Sequence, residues 1–182
     1  MSDTVMLHRG RFLGLAEHDG WEYVTRTNAS GVVVLIPVTE SGKLVLVEQY
    51  RPPVRATVIE LPAGLVGDLG FDGEDIRSAA ARELEEETGY SAGRLTRLLT
   101  CPSTAGMSDE QITFFLATRL ERTGPGGGDS SEDIAVHEVS LLEADTWLAR
   151  RAENGTLLDP KIYTALHWVT RLEAGQDAIP LS

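Results

Sequence analysis

Apolar and polar positions along the chain fall into runs of two different periods. From residue 5 to 28 apolar side chains stand on both sides of a turn and alternate after it. Val5, Leu7, Phe12, Leu13 and Leu15 precede His18-Asp19-Gly20, and Trp21, Tyr23 and Thr25 follow it. That pattern predicts two short strands around a turn. Gly31 opens a continuous apolar run through Val38. A turn at Glu40-Ser41-Gly42 leads into residues 43–50, so these two strands are expected to pair as a hairpin. Arg51-Pro52-Pro53 breaks the pattern. Further strands are predicted over 58–61, 95–100, 111–120 (with Phe114 and Phe115 at the centre) and 134–139.

Helical signals mark three other stretches. In the first, Asp72 is the expected N-cap and Glu74 and Asp75 lie in the first turn, where acids complement the helix dipole. Ala79, Ala80, Ala81 and Leu84 favour helix, and Gly89 suits the left-handed position that ends one. Ser140-Leu141-Leu142-Glu143 reads as a capping box opening a second helix that ends near Asn154-Gly155. Asp159-Pro160 opens a third, with Ile162, Leu166, Val169 and Leu172 as its apolar stripe. Residues 123–133, TGPGGGDSSED, are flexible by composition but run straight into a strand, so they read as a mobile loop within the domain. Strands interrupted by one helix and closed by two more predict an α/β fold, an α/β/α sandwich with a mixed sheet. Residues 1–28 would be a small N-terminal β-ribbon on a domain spanning 29–182.

Composition narrows the partners. A chain of 182 residues suits one domain, and its 42% hydrophobic content is that of a globular protein. A net charge of −12 opposes nonspecific binding to nucleic acid or anionic membranes. Cys101 is the single cysteine, which rules out an internal disulfide and fits a reducing compartment. No apolar leader segment stands at the N-terminus, and the run from Val32 to Ile36 is too short to span a bilayer. A cytoplasmic protein that engages neither nucleic acid nor membrane is the expectation.

The first helix carries the chemistry. Glu83, Glu86 and Glu87 share one face at 3.6 residues per turn. Like charges so placed repel, and a purely structural helix gains nothing from them. A hard divalent cation does gain, because it is held by carboxylate oxygens. A solvated acidic face is the bland alternative. Arg82-Glu83-Leu84-Glu85-Glu86-Glu87-Thr88-Gly89-Tyr90 resembles the second half of the Nudix box, G-x5-E-x7-R-E-U-x-E-E-x-G-U, and Glu74 lies at the required distance before Arg82. The first glycine departs: Asp68 stands at its place, and Gly64 of Leu61-Pro62-Ala63-Gly64 would match only with four residues inserted.

That resemblance implies a Nudix fold and metal-dependent hydrolysis of a nucleoside diphosphate linked to another group. It makes Glu83 and Glu87 the main ligands of Mg²⁺, with Mn²⁺ as the alternative ion. Glu86 would be a third ligand or serve a second metal, the Ala63 carbonyl a further ligand, and Arg82 with Glu74 a supporting ion pair. Residues 47–52 and 60–64 are similar to the ADP-ribose and nucleotide-sugar pyrophosphatase branch, in which Arg51 and Glu60 would touch substrate. Arginine suits a diphosphate because its fork makes paired hydrogen bonds. The same resemblance offers Glu132 as the general base, with Glu110 as the rival. It also offers Trp21 as a stacking surface for the nucleobase, in a homodimer whose N-terminal strands pack on the other subunit. The subgroup's proline is replaced here by Ala105, though Ala105-Gly106-Met107-Ser108-Asp109-Glu110 still resembles its loop. ADP-ribose is the first expected substrate, yielding AMP and ribose 5-phosphate. Other nucleotide sugars, a dinucleotide, an oxidised nucleoside triphosphate and a noncatalytic nucleotide-sugar sensor are the alternatives.

Overall fold

The computed structural model describes residues 3–68, 73–128 and 132–176. The N-terminal segment forms three strands, β1 (Val5–Arg9), β2 (Leu13–His18) and β3 (Trp21–Arg26), in an antiparallel meander. The sequence reading merged the first two, although the polar run His8-Arg9-Gly10-Arg11 separates Leu7 from Phe12 and the chain turns there. The turn at Asp19-Gly20 lies where it was expected.

The remaining strands are β4 (Gly31–Pro37), β5 (Lys43–Arg51), β6 (Ala56–Glu60), β7 (Ala63–Val66), β8 (Tyr90–Pro102), β9 (Gln111–Arg122), β10 (Ala135–Ser140) and β11 (Leu157–Leu158). Helices α1 (Ile76–Thr88), α2 (Ala144–Glu153) and α3 (Lys161–Glu173) complete the elements found among the described residues. The expected mixed sheet is divided into two four-stranded sheets, β7-β4-β9-β8 and β10-β5-β6-β11. Each contains one parallel pair, β4 with β9 and β6 with β11.

The expected β4–β5 hairpin does not form beyond its turn. One bridge, Val38 to Leu44, joins the two segments before they diverge into different sheets. Both strands are buried along almost their whole length. A strand so enclosed needs neighbours on both edges to satisfy its backbone. Those neighbours are β7 and β9 for β4, and β6 and β10 for β5.

Alternation along β4 sets the layers. Val32, Val34 and Ile36 join a core with Leu148 of α2 and Ile162, Ala165 and Trp168 of α3. Val33 and Leu35 join a second core with Ala79, Ala80 and Leu84 of α1. Successive side chains of a strand point to opposite faces, so α1 and the α2–α3 pair cover opposite sides. Burying each large aliphatic side chain stabilises by about 1.5–3 kcal/mol. Phe114 meets Trp168 edge to face, with centroids 5.1 Å apart.

Two helix starts differ from the sequence reading. Helix α1 begins at Ile76, capped by Asp75, whose Oδ1 accepts from the backbone N–H groups of Arg77 and Ser78. Glu74 therefore precedes the helix, and Asp72 lies outside the described residues. Ser140 ends β10 instead of capping α2, whose preceding residue Glu143 makes no side-chain cap. Strand pairing with Lys43 holds Ser140 extended and removes it from the helix. Asp159 behaves as expected, its Oδ1 accepting from Lys161 N at 2.7 Å.

Candidate functional site

Helix α1 and strand β7 form one wall of a cavity of about 590 Å³. Tight contact between the two elements depends on Gly64. A Cβ there would fall 1.9 Å from Glu83 Cδ, so the Glu83 carboxyl occupies space that any other residue would fill. Four residues on, Glu87 is only 3% exposed, and its Oε2 accepts from Ala63 N at 3.1 Å. Helix α1 ends at Gly89, which adopts φ 71° as the C-cap.

Arg82 organises this wall. Its Nε and Nη2 donate to both carboxylate oxygens of Glu74, at 3.0 and 3.1 Å. Nη2 also donates to the Leu65 carbonyl at 3.1 Å. Nη1 donates to Glu83 at 2.8 Å and Glu86 at 2.9 Å. Glu74 sits outside the helix yet reaches Arg82 across the chain that joins β7 to α1. Chiefly through the bonds to Glu74, the Arg82 guanidinium is held above its ordinary value.

Burial works against the charges of the two inner glutamates. Removal from water pushes the Glu83 carboxyl up to about 7, against the pull of Arg82. Burial pushes Glu87 well above the carboxylate range, helped by the neighbouring Glu83 and Glu132 and opposed by the Ala63 N–H. Among the described residues no three acidic, histidine or cysteine side chains are already gathered into a coordination set. Glu83 and Glu86 point to Arg82, and Glu87 to Ala63 N. The donor set still fits a hard divalent cation. It offers carboxylate oxygens on one helix face, two of them in surroundings that disfavour their unpaired charge.

In the same cavity, Arg51 on β5 and Glu60 on β6 form a two-pronged pair, with both N–O distances 2.7 Å. Both line the cavity. The bond to Glu60 outweighs burial and holds Arg51 above its ordinary value, with Glu87 and Glu132 contributing smaller fields. Glu132 and Glu110 also face the cavity. Arg26 Nε donates to Glu110, and the field of Glu132 reaches both Arg51 and Glu87.

Two basic cavity residues, Arg26 and Lys161, escaped the sequence reading. Arg26 closes β3 and reaches the cavity because the N-terminal sheet runs along residues 103–110 of its own chain. Val24 N donates to the Met107 carbonyl at 2.8 Å, and Thr25 Oγ1 to Asp109 Oδ2 at 2.8 Å. Lys161, paired with Asp159, enters from the start of α3. Only the alternation of β3 hinted at Arg26, and nothing local marked Lys161. Trp21 lies apart from the cavity. It is 63% exposed, donates from Nε1 to the Gly106 carbonyl at 3.3 Å, and lines a second hollow with His18, Tyr23 and Ala105.

Comparison with known proteins gives the site its context. The family model for the NUDIX domain matches residues 27–161. The chain is 35% identical over 147 residues to the ADP-ribose pyrophosphatase of Bacillus subtilis (strain 168), covering 80% of this chain and 75% of that protein. It is 34% identical over 145 residues to the methanol dehydrogenase activator of Bacillus methanolicus, covering 79% and 74% respectively. The crystal structure of an ADP compounds hydrolase shares the fold with a TM-score of 0.71 at 20% identity, over 97% of this chain and 95% of that one. Matched by the family model over most of its length, and at better than 30% identity to the two Bacillus proteins, the chain belongs to the Nudix family of hydrolases.

Proposed function

We propose that the protein hydrolyses the diphosphate of a nucleoside diphosphate sugar, with ADP-ribose its first substrate and AMP and ribose 5-phosphate the products. The observation that carries this reading is one cavity lined both by Glu83 and Glu86 of α1 and by the Arg51–Glu60 pair, with the buried Glu87 one turn along the helix from Glu83. The name of the Bacillus subtilis relative supports the choice of substrate.

In this reading Glu83, Glu86, Glu87 and the Ala63 carbonyl hold Mg²⁺, or Mn²⁺ in its place. When bound, the ion neutralises phosphate oxygens and lowers the pKa of the attacking water. Arg82, fixed by Glu74, orients Glu83 and Glu86. Arg51 offers its fork to the diphosphate, and Glu60 holds that fork in plane. Glu132 takes the proton of the attacking water, with Glu110 the rival base. One phosphorus–oxygen bond of the diphosphate breaks, and the oxygen of water goes to the phosphorus attacked. Trp21 stacks on the nucleobase in a cytoplasmic homodimer whose N-terminal sheets, formed within residues 1–28, pack between subunits over the domain of residues 29–182. The exposed Val5, Leu7, Phe12 and Leu13 support that assembly.

A substrate panel tests the function. Purified protein is incubated with ADP-ribose, other nucleotide sugars, a dinucleotide and an oxidised nucleoside triphosphate, and products are separated by chromatography. AMP and ribose 5-phosphate should form fastest from ADP-ribose, stop after chelation and resume with Mg²⁺ or Mn²⁺. Tight binding of ADP-ribose without turnover would replace the enzyme reading with a sensor.

A further inference from the structure

The glycine-rich stretch reads as slack by composition, yet its first part is tied to the most chemically loaded turn of the molecule. Thr123 N and Gly124 N donate to the Gly89 carbonyl at 2.8 and 3.1 Å. Gly127 N donates to the Glu87 carbonyl at 2.8 Å and Gly128 N to the Glu86 carbonyl at 3.0 Å. The last carbonyls of a helix have no partner within it, and here these backbone N–H groups supply one. Glu87 is thus held twice, through its side chain by Ala63 and through its backbone by Gly127.

The approach is too close for a side chain. A Cβ on Gly126 would fall 2.5 Å from the Thr88 carbonyl carbon and 2.8 Å from the Glu87 carbonyl oxygen, both backbone atoms that cannot swing aside. Gly126 also has φ 70°, a conformation that other residues adopt at a cost. On the far side the chain is pinned again, Ile134 N donating to the Gly127 carbonyl at 3.3 Å. Glu132 packs against the same segment, because a Cβ on Gly128 would lie 2.4 Å from Glu132 Oε2.

We propose that Gly126, Gly127 and Gly128 form a clasp that places the Glu132 carboxylate relative to Glu86 and Glu87, which makes them positioning residues for hydrolysis. The proposal rests on the assignment of Glu132 as the base. It gives the three glycines a task that flexibility does not: they bring the base-bearing segment to the helix end within backbone hydrogen-bond distance. A shift of about 1 Å in such a group can cost on the order of 10²-fold in rate.

A double-mutant cycle on the full chain tests the clasp, using the nucleoside diphosphate sugar that the wild type hydrolyses fastest. Gly126→Ala should lower kcat by about tenfold to a hundredfold and leave KM within about twofold. In a Glu132→Gln background the same change should cost less than about twofold more, because the group it misplaces has already been disabled. Gly124→Ala is the control, since its Cβ meets nothing within 4 Å and the N–H is kept. It should stay within about twofold of wild type. A wild-type kcat for Gly126→Ala, or an equal loss in both backgrounds, would overturn the clasp. If circular dichroism shows Gly126→Ala unfolded, Gly128→Ala decides by the same criterion, since its Cβ meets the side chains of Glu132 and Ile134 instead of helix backbone. Full activity of Glu132→Gln alone would remove the base assignment and the clasp with it. A large loss for Glu132→Gln beside an additive Gly126→Ala removes the clasp alone.

Discussion

The C-terminal half of α1 and the N-terminal sheet break opposite rules. The helix buries Glu87 and half-buries Glu83 beside a cavity, where removal from water pushes both carboxyls upward. The sheet leaves Val5, Met6, Leu7, Phe12, Leu13 and Trp21 exposed to water. Buried charge and clustered exposed apolar surface are both costly for an isolated chain. Each is informative because folding alone does not explain it. The difference lies in what would relieve the cost. In the reading proposed above, a cation would answer the helix and an apolar surface the sheet. The regions also differ in how tightly they are built: Arg82, Glu74, Ala63 and Gly127 all grip the helix end, whereas β1 is exposed along its length.

The largest effects are expected at the helix. Glu83→Gln and Glu87→Gln should each lower kcat by at least ~10², since a single preorganised electrostatic group contributes ~10²–10³. Both should keep the circular dichroism of the wild type, because glutamine retains an acceptor for Arg82 or for Ala63 N. Near-wild-type turnover by either variant at saturating Mg²⁺ would return the helix to an ordinary acidic face.

Glu132→Gln sharpens the same side of the comparison. It should lose about 10² in kcat with little change in substrate affinity, as expected for a group acting in the transition state. Glu110→Gln is the control and should lose less. If steady-state kinetics rank the two the other way, the base belongs to the 103–110 loop.

At the sheet the expected signature is weaker binding. Trp21→Ala should raise KM for ADP-ribose by about tenfold with a smaller change in kcat, since stacking contributes ~1–3 kcal/mol per base. Deleting residues 1–28 should leave a monomer by light scattering. A dimer that survives the deletion would mean that the exposed face of β1 and β2 serves something else.

The smallest effect is thermodynamic. A carboxyl whose folded pKa is raised binds its proton more tightly in the folded state than in the unfolded one. Stability from Glu83 is therefore fully present below its ordinary value of 4.5 and declines as pH rises through about 7. Without divalent ions, the Tm of the wild type should fall between pH 5 and 8 by a few degrees more than that of Glu83→Gln. Equal slopes in a thermal-melt series would show that Glu83 remains well solvated.

What the sequence determined by itself lay in local spacing. The Arg82–Tyr90 motif with Glu74 gave the family. The 3.6-residue period put Glu83, Glu86 and Glu87 on one face of α1, Gly89 ended that helix, and Asp159 opened α3. Contacts between residues close in the chain are written in order along it, so they can be read. Other features came only from tertiary structure. Strands β4 and β5 parted into two sheets because β9 and β10, far along the chain, supply their other edges. Arg26 and Lys161 reached the cavity from opposite ends of the sequence. Ser140 gave up its expected cap to pair with Lys43. Composition read the glycines at 126–128 as slack, and only the packed helix end makes the missing side chain of Gly126 a requirement. Sequence spacing specifies which groups share a face; long-range packing decides which faces meet, because that choice depends on burying surface from segments that local pattern cannot bring together.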